Sequence, residues 1–161
     1  EILGDTIVWV DPGELIEIQT SDVLQLVAHK VQQAYELIGE PTIVEDSGLF
    51  FEAWNGLPGA LVKWFEKSVG YGGMVKMLSP FDNRKATALC CVALYAGDNV
   101  KISQGRVHGH IAEKPVGKNG FGWDTIFVPE GYDQTFAEMN VREKNAISHR
   151  RKAFEALKKM F

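Results

Sequence analysis

The residue types best suited to chemistry fall in a few places, and the first is Glu45-Asp-Ser-Gly48. The β-branched residues Thr42, Ile43 and Val44 just before it read as a buried strand, which ends abruptly in two carboxylates, a hydroxyl and a glycine. In open α/β sheets ligands lie beyond the carboxyl ends of the strands, so acids at that point sit where a substrate would. Side chains alternate along an extended chain, which sends Glu45 and Asp46 to opposite faces and lets them share one ion only if the chain turns there; Asp46 is expected to face the cleft. The plainer alternative is an Asx-type turn at Asp46-Ser47-Gly48 between two strands, with Ser47 serving backbone groups.

Further candidates lie on either side. Glu17, between Ile16 and Ile18, is either an outward-facing strand residue or a ligand held by its apolar neighbours. Lys63 and Lys67 are four apart on a predicted helix and share a face, which in the plain reading is its solvated side. Gly117-Lys-Asn-Gly-Phe-Gly122 precedes Trp123-Asp124 but lacks the spacing of a phosphate loop. Glycines beside aromatics suit either a flat platform, on which a ring such as a base stacks against Phe121 or Trp123, or a simple turn with both rings in the core. The last third is locally basic, with Arg142, Lys144, His149, Arg150, Arg151, Lys152, Lys158 and Lys159. A net charge of −4 argues against a generic nucleic-acid binder, so the basic stretch suits a small anion, and a solvated helix face accounts for Lys158 and Lys159. His149 and Arg150 occupy the first turn of a helix capped by Ser148, where cations are unfavourable unless an anion uses both.

The elements that must position these groups follow from periodicity. The 161 residues, 45% of them hydrophobic, fit one domain with a real core, and no apolar run approaches a membrane span. Glu1 to Asp5 reads as the end of an element, so an upstream segment is expected. Thr6 to Val10 predicts a strand, Leu15 to Gln19 a short extended piece, and Val23 to Leu37 a helix stopped at Gly39. A strand at Thr42–Val44 is followed by a second short one over Leu49–Ala53. A helix starts near Leu61, is broken by Gly70, Gly72 and Gly73, and is succeeded by a short helix to Leu78. Ala86–Tyr95 and Val100–Val107 form a hairpin through Ala96-Gly-Asp-Asn99 and are expected in the middle of the sheet. A strand near Ile126–Val128, a polar helix around Arg142–Asn145 and a final helix burying Phe154, Leu157 and Phe161 complete the chain. The adjacent Cys90 and Cys91 point to opposite faces, which implies packing residues in a reduced, cytoplasmic protein.

Four of these segments, Glu45-Asp-Ser-Gly48, Gly56-Leu-Pro-Gly59, Phe121-Gly-Trp-Asp124 and Glu143-Lys-Asn-Ala-Ile-Ser-His-Arg150, together and in this order resemble the inosine triphosphate pyrophosphatase family. The resemblance implies an α/β fold in which an elongated mixed central sheet with flanking helices forms two lobes around a nucleotide-binding cleft. It also implies a homodimer, and magnesium-dependent hydrolysis of deaminated purine nucleoside triphosphates (ITP, dITP, XTP) to the monophosphate and pyrophosphate. Carried over by position, Asp46 is the metal-binding residue and general base, and Glu17 the second magnesium carboxylate. Ser47 lies against the nucleotide, and Lys63 and Lys144 meet phosphates. Phe121, Gly122, Trp123 and Asp124 hold the base, and His149 with Arg150 reaches its edge. Trp123 stands where many relatives carry tyrosine. The family begins with a strand and a Thr-x-Asn-x-x-Lys phosphate loop, which this single domain is expected to lack. That departure leaves a non-catalytic nucleotide-binding or dimerisation module as the alternative, with a metal-dependent phosphatase releasing orthophosphate as a third. Neither nucleic acid nor membrane is expected as a partner.

Overall fold

A computed structural model describes residues 7–160. Its spine is a five-stranded sheet of β1 (Thr42–Phe51), β2 (Pro58–Gly59), β3 (Lys85–Tyr95), β4 (Lys101–Ile111) and β5 (Phe127–Pro129), in the order β2-β1-β3-β4-β5. Every pairing among these strands is antiparallel, where a mixed sheet was expected. β3 lies in the middle because its run from Ala86 to Ala93 is almost wholly apolar and needs cover on both faces. On one face α1 (Val23–Ile38) sets Val23, Val27 and Val31 against Leu89, Cys91 and Ala93. On the other, α4 (His149–Lys158) sets Ala153 and Leu157 against Cys90 and Val92. The neighbouring cysteines therefore enter different cores as free thiols, and burial pushes both up, Cys91 to about 12. A third cluster joins α2 (Val62–Leu78) to Leu49, Phe51, Phe127 and Phe136. Each fully buried phenylalanine there contributes about 1.5–3 kcal/mol.

Local signals fix the helix ends that matter to the site. Asp22 caps α1 by accepting from the Leu24 N–H at 2.8 Å, and Gly39 stops it in a left-handed conformation. In α2 the glycines kink the helix rather than end it: Gly70 adopts φ 67° and ψ 173°, a conformation open only to glycine, and the helix resumes to Leu78. α3 (Val141–Ile147) starts from a reciprocal cap in which Asn140 accepts from the Glu143 N–H and Glu143 accepts from the Asn140 N–H. Ser148 then caps α4 by accepting from the Arg151 N–H at 3.1 Å.

Several expectations are corrected. Asp46-Ser47-Gly48 is not a turn between two strands: β1 runs unbroken to Phe51, and Glu52–Trp54 is a turn of 3-10 helix where strand was expected. Gly48 permits close packing instead, since a Cβ there would come within 2.7 Å of Val23 Cγ2 and 2.9 Å of the Gly59 carbonyl. Ile7 to Val10 form no strand, and Trp9 is 84% exposed, because no strand among the described residues pairs with them. Leu15 to Gln19 are also irregular, held by the Gln33 side chain, whose amide donates to the Ile16 carbonyl at 2.8 Å and accepts from the Ile16 N–H at 3.0 Å. The expected helix end near Gly4, the strand position Thr6 and the burial of Phe161 lie outside the described residues. One consequence of β1's length is an open side. β2 pairs only with Leu49 and Phe50, so from Thr42 to Gly48 the edge of β1 away from β3 has no strand neighbour among the described residues.

Candidate active site

The extended backbone through Glu45 and Asp46 divides the predicted residues into two clusters, one on each face of β1. On the α1 face, Lys30 places its ammonium 2.8 Å from Asp46 Oδ2 and 3.4 Å from Glu17 Oε1. Lys63, at the start of α2, lies 3.4 and 3.5 Å from the two Glu17 oxygens. Burial works to raise the Glu17 carboxyl, but Lys30 and Lys63 outweigh it and hold Glu17 below the ordinary glutamate range. For Lys30 burial works downward, and its bond to Asp46 and the charges of Asp46 and Glu17 outweigh that and keep it protonated. The Ser47 N–H donates to Asp46 Oδ1 at 2.8 Å, while the buried Ser47 hydroxyl has no protein partner. Two carboxylates thus converge on one cationic point. No group of three or more His, Cys, Asp or Glu suited to a metal exists among the described residues. The Glu17 and Asp46 side chains keep 28% and 23% exposure, and a carboxylate pair completed by water and phosphate oxygens is the donor set magnesium takes, whereas zinc favours a closed N/S cage.

On the α4 face, Glu45 binds Arg150 in parallel, Nε to Oε2 at 3.0 Å and Nη2 to Oε1 at 2.7 Å. Arg150 and Lys144 both sit 5.1 Å from the centre of the Phe121 ring, which is 64% exposed. The Lys144 ammonium donates to Asp124, a buried carboxylate that also accepts from the Phe121 N–H at 2.9 Å. Lys144 therefore belongs with the aromatic cluster and Lys63 with the carboxylates, although the resemblance assigns both to phosphates. The aromatic platform is Phe121 alone, because Trp123 is only 9% exposed and packs edge-on against Phe127. Gly122 opens the helical turn Gly122–Thr125 that carries Trp123 inward. His149 is 5% exposed and packs between Trp123 and Phe136. Burial, then Arg150, Lys144 and Lys152, lower its pKa to about 3, leaving a neutral ring whose Nδ1 has no protein partner. Tyr71 and Thr125 hydroxyls are also buried without partners, and Tyr71 lies 3.3 Å from where a Gly122 Cβ would stand. The orphaned atoms found all belong to site residues or adjoin them. A cavity of about 860 Å³ wraps the open edge of β1, bordered by Lys30 on one face and by Glu45 and Arg150 on the other.

Residues 2–160 match the Ham1 family. The chain belongs to that family. It is 46% identical to inosine triphosphate pyrophosphatase 2 of Trypanosoma cruzi over 150 residues, covering 92% of this chain and 76% of the relative. It is 44% identical to the dITP/XTP pyrophosphatase of Hyperthermus butylicus, covering 88% and 75%. A Ham1 protein structure from Coxiella burnetii superposes with a TM-score of 0.80 at 33% identity, covering 90% of this chain and 79% of that one. Within this Ham1 fold, Lys30 was the residue the sequence reading passed over. A signal for it existed: Val23, Leu26, Val27, Lys30, Val31 and Ala34 lie on one stripe of α1, and a lysine among buried residues is there to meet a charge.

Proposed function

We propose that this chain hydrolyses deaminated purine nucleoside triphosphates (ITP, dITP and XTP) to the monophosphate and pyrophosphate, and so cleanses the nucleotide pool. Support comes from the substrates in the names of its Ham1 relatives and from the division of its site into a carboxylate–lysine end and an aromatic–arginine end. The observation that carries the reading is the convergence of Glu17 and Asp46 on one cationic point. Glu17 and Asp46 would hold magnesium, and the ion when bound supplies charge neutralisation at the phosphate oxygens. Asp46 accepts the proton of the attacking water, whose oxygen bonds to the α-phosphorus. The bond from that phosphorus to the bridging oxygen breaks, and pyrophosphate leaves with the electron pair. Lys30 and Lys63 place fixed positive charge along the triphosphate, where negative charge accumulates. At the other end Phe121 offers its face to the base. Arg150 carries donors only, so it pairs with the 6-oxo group of hypoxanthine or xanthine and opposes the amino group of adenine. A site built on such bonds discriminates by roughly 10⁴ or more.

A homodimer belongs to the same proposal, favoured by the open apolar side chains Trp64, Val69 and Met77 on α2, and light scattering tests it. A cytoplasmic setting is favoured by the free, buried thiols. No helix of the described residues is long and apolar enough to cross a membrane. The direct test is pyrophosphate release from inosine against adenosine triphosphate with magnesium, alongside Asp46→Asn. Release of pyrophosphate from inosine triphosphate, lost in Asp46→Asn with the fold kept, is the expected result. Binding without turnover would make the chain a nucleotide-binding module, and orthophosphate as product would make it a phosphatase.

A further inference from the structure

We propose that Glu45 is a positioning residue: by gripping the Nε–Nη2 edge of the Arg150 guanidinium beside the Phe121 ring, it aims the remaining donors of Arg150 and so sets which purine the site accepts. The inference rests on the proposed function and assigns a task to the acid that faces away from the Asp46 cluster.

Three observations support it. The grip is bidentate, at 3.0 and 2.7 Å, which fixes the plane of the guanidinium as well as its place. The carboxylate is itself held, since the thiol of the fully buried Cys90 donates to Glu45 Oε2 at 3.3 Å and Glu45 sits opposite Val92 in the β1–β3 ladder. The anchor therefore sits on a strand laddered residue by residue to the middle strand, β3. With Nε and one edge of Nη2 engaged, Nη1 and the outer edge of Nη2 remain for a ligand, and every one of those groups is a donor. Without Glu45 the guanidinium would keep only the Phe121 face, a contact that tolerates rotation.

A merely structural ion pair would serve to dock α4, but α4 has other fastenings. Ala153 and Leu157 are fully buried against β3, and the Ser103 hydroxyl donates to the Ala153 carbonyl at 2.9 Å. The side chains of Arg150 and Glu45 are 41% and 31% exposed, where an ion pair adds little to stability. Orientation is what such a pair can supply at that position.

The test is Glu45→Gln, Arg150→Gln and the double variant, assayed for pyrophosphate release from inosine and adenosine triphosphates and for melting temperature. Glu45→Gln is expected to raise KM for inosine triphosphate about tenfold with kcat within about threefold, and to lower the preference for inosine over adenosine by a similar factor. Its melting temperature should stay within about 2 °C of the parent. In the Arg150→Gln background the same change should have no further effect, because there is nothing left to aim. An unchanged inosine preference in Glu45→Gln, or an equal effect with and without Arg150, overturns the proposal. Loss of the fold in Glu45→Gln makes the pair structural and also overturns it, unless Glu45→Asp, which keeps the charge on a shorter arm, folds and shows the same loss of preference. Should the parent chain release no pyrophosphate from inosine triphosphate, the functional reading fails. Glu45 is then judged by the relative affinity of the parent and variants for the two nucleotides.

Discussion

Acidifying the protein from pH 7 to pH 5 should weaken it by about 2 kcal/mol through His149 alone. The ring is 5% exposed, wedged between Trp123 and Phe136, and burial followed by the charges of Arg150, Lys144 and Lys152 holds its pKa at about 3. In the unfolded chain the same group titrates near its ordinary value of about 6.5. The folded pKa is the lower one, so the unfolded state takes the proton first, and stability is lost as pH falls from about 6.5 toward the folded value. One proton corresponds to about 1.4 kcal/mol per pH unit, and the 1.5 units between 6.5 and 5 give about 2 kcal/mol. Urea unfolding at the two pH values, in the parent and in His149→Gln, isolates this contribution, since carboxylates such as Glu17 titrate in both chains. The parent should lose about 2 kcal/mol more than the variant. Equal losses within about 0.5 kcal/mol would refute a neutral, buried His149.

Other substitutions probe the remaining contacts. Gly48→Ala should cost about 1–3 kcal/mol in chemical denaturation, because the new methyl meets Val23 and the Gly59 carbonyl inside van der Waals contact. Lys144→Ala strips the buried Asp124 carboxylate of its ammonium and should cost about 3–5 kcal/mol as well as turnover, with Asp124→Asn in the same chain recovering part of the stability. A Lys144→Ala chain as stable as its parent would separate the two residues. Phe121→Ala, removing a ring that is 64% exposed, should raise KM for inosine triphosphate with the melting temperature unchanged, and an unchanged KM would remove Phe121 as a platform.

Much of the fold was legible because its strongest signals are local. The stripe of α1, its Gly39 end, the β3–β4 hairpin and the Ser148 cap all follow from residues near one another in sequence. The Glu45-Asp46 alternation also held, one acid going to each face. What failed depended on distant neighbours. Asp-Ser-Gly has turn chemistry, but the Asp46↔Cys91 and Gly48↔Leu89 pairings with β3 override it and keep β1 extended. Ile7 to Val10 have strand composition, yet composition forms a strand only against a partner. For Trp123 the sequence left platform and core both open, and only the third dimension encloses it with Phe127 and His149. For Lys30 the α1 stripe shows that a charge must meet it, but its partner Asp46 lies 16 positions away, a separation no local pattern bridges.

The side of β1 from Thr42 to Gly48 that has no strand neighbour among the described residues ties assembly to chemistry. Unpaired amides and carbonyls recruit any extended segment that fits, whether from the same polypeptide or from another copy. A visitor hydrogen-bonded along that margin would run directly past the Asp46 and Glu45 carboxyls, with the exposed Val8 and Trp9 as apolar neighbours. Concentration-dependent association at this margin and nucleotide occupancy would then compete for the same few ångströms, so crowding the chain would read out as inhibition.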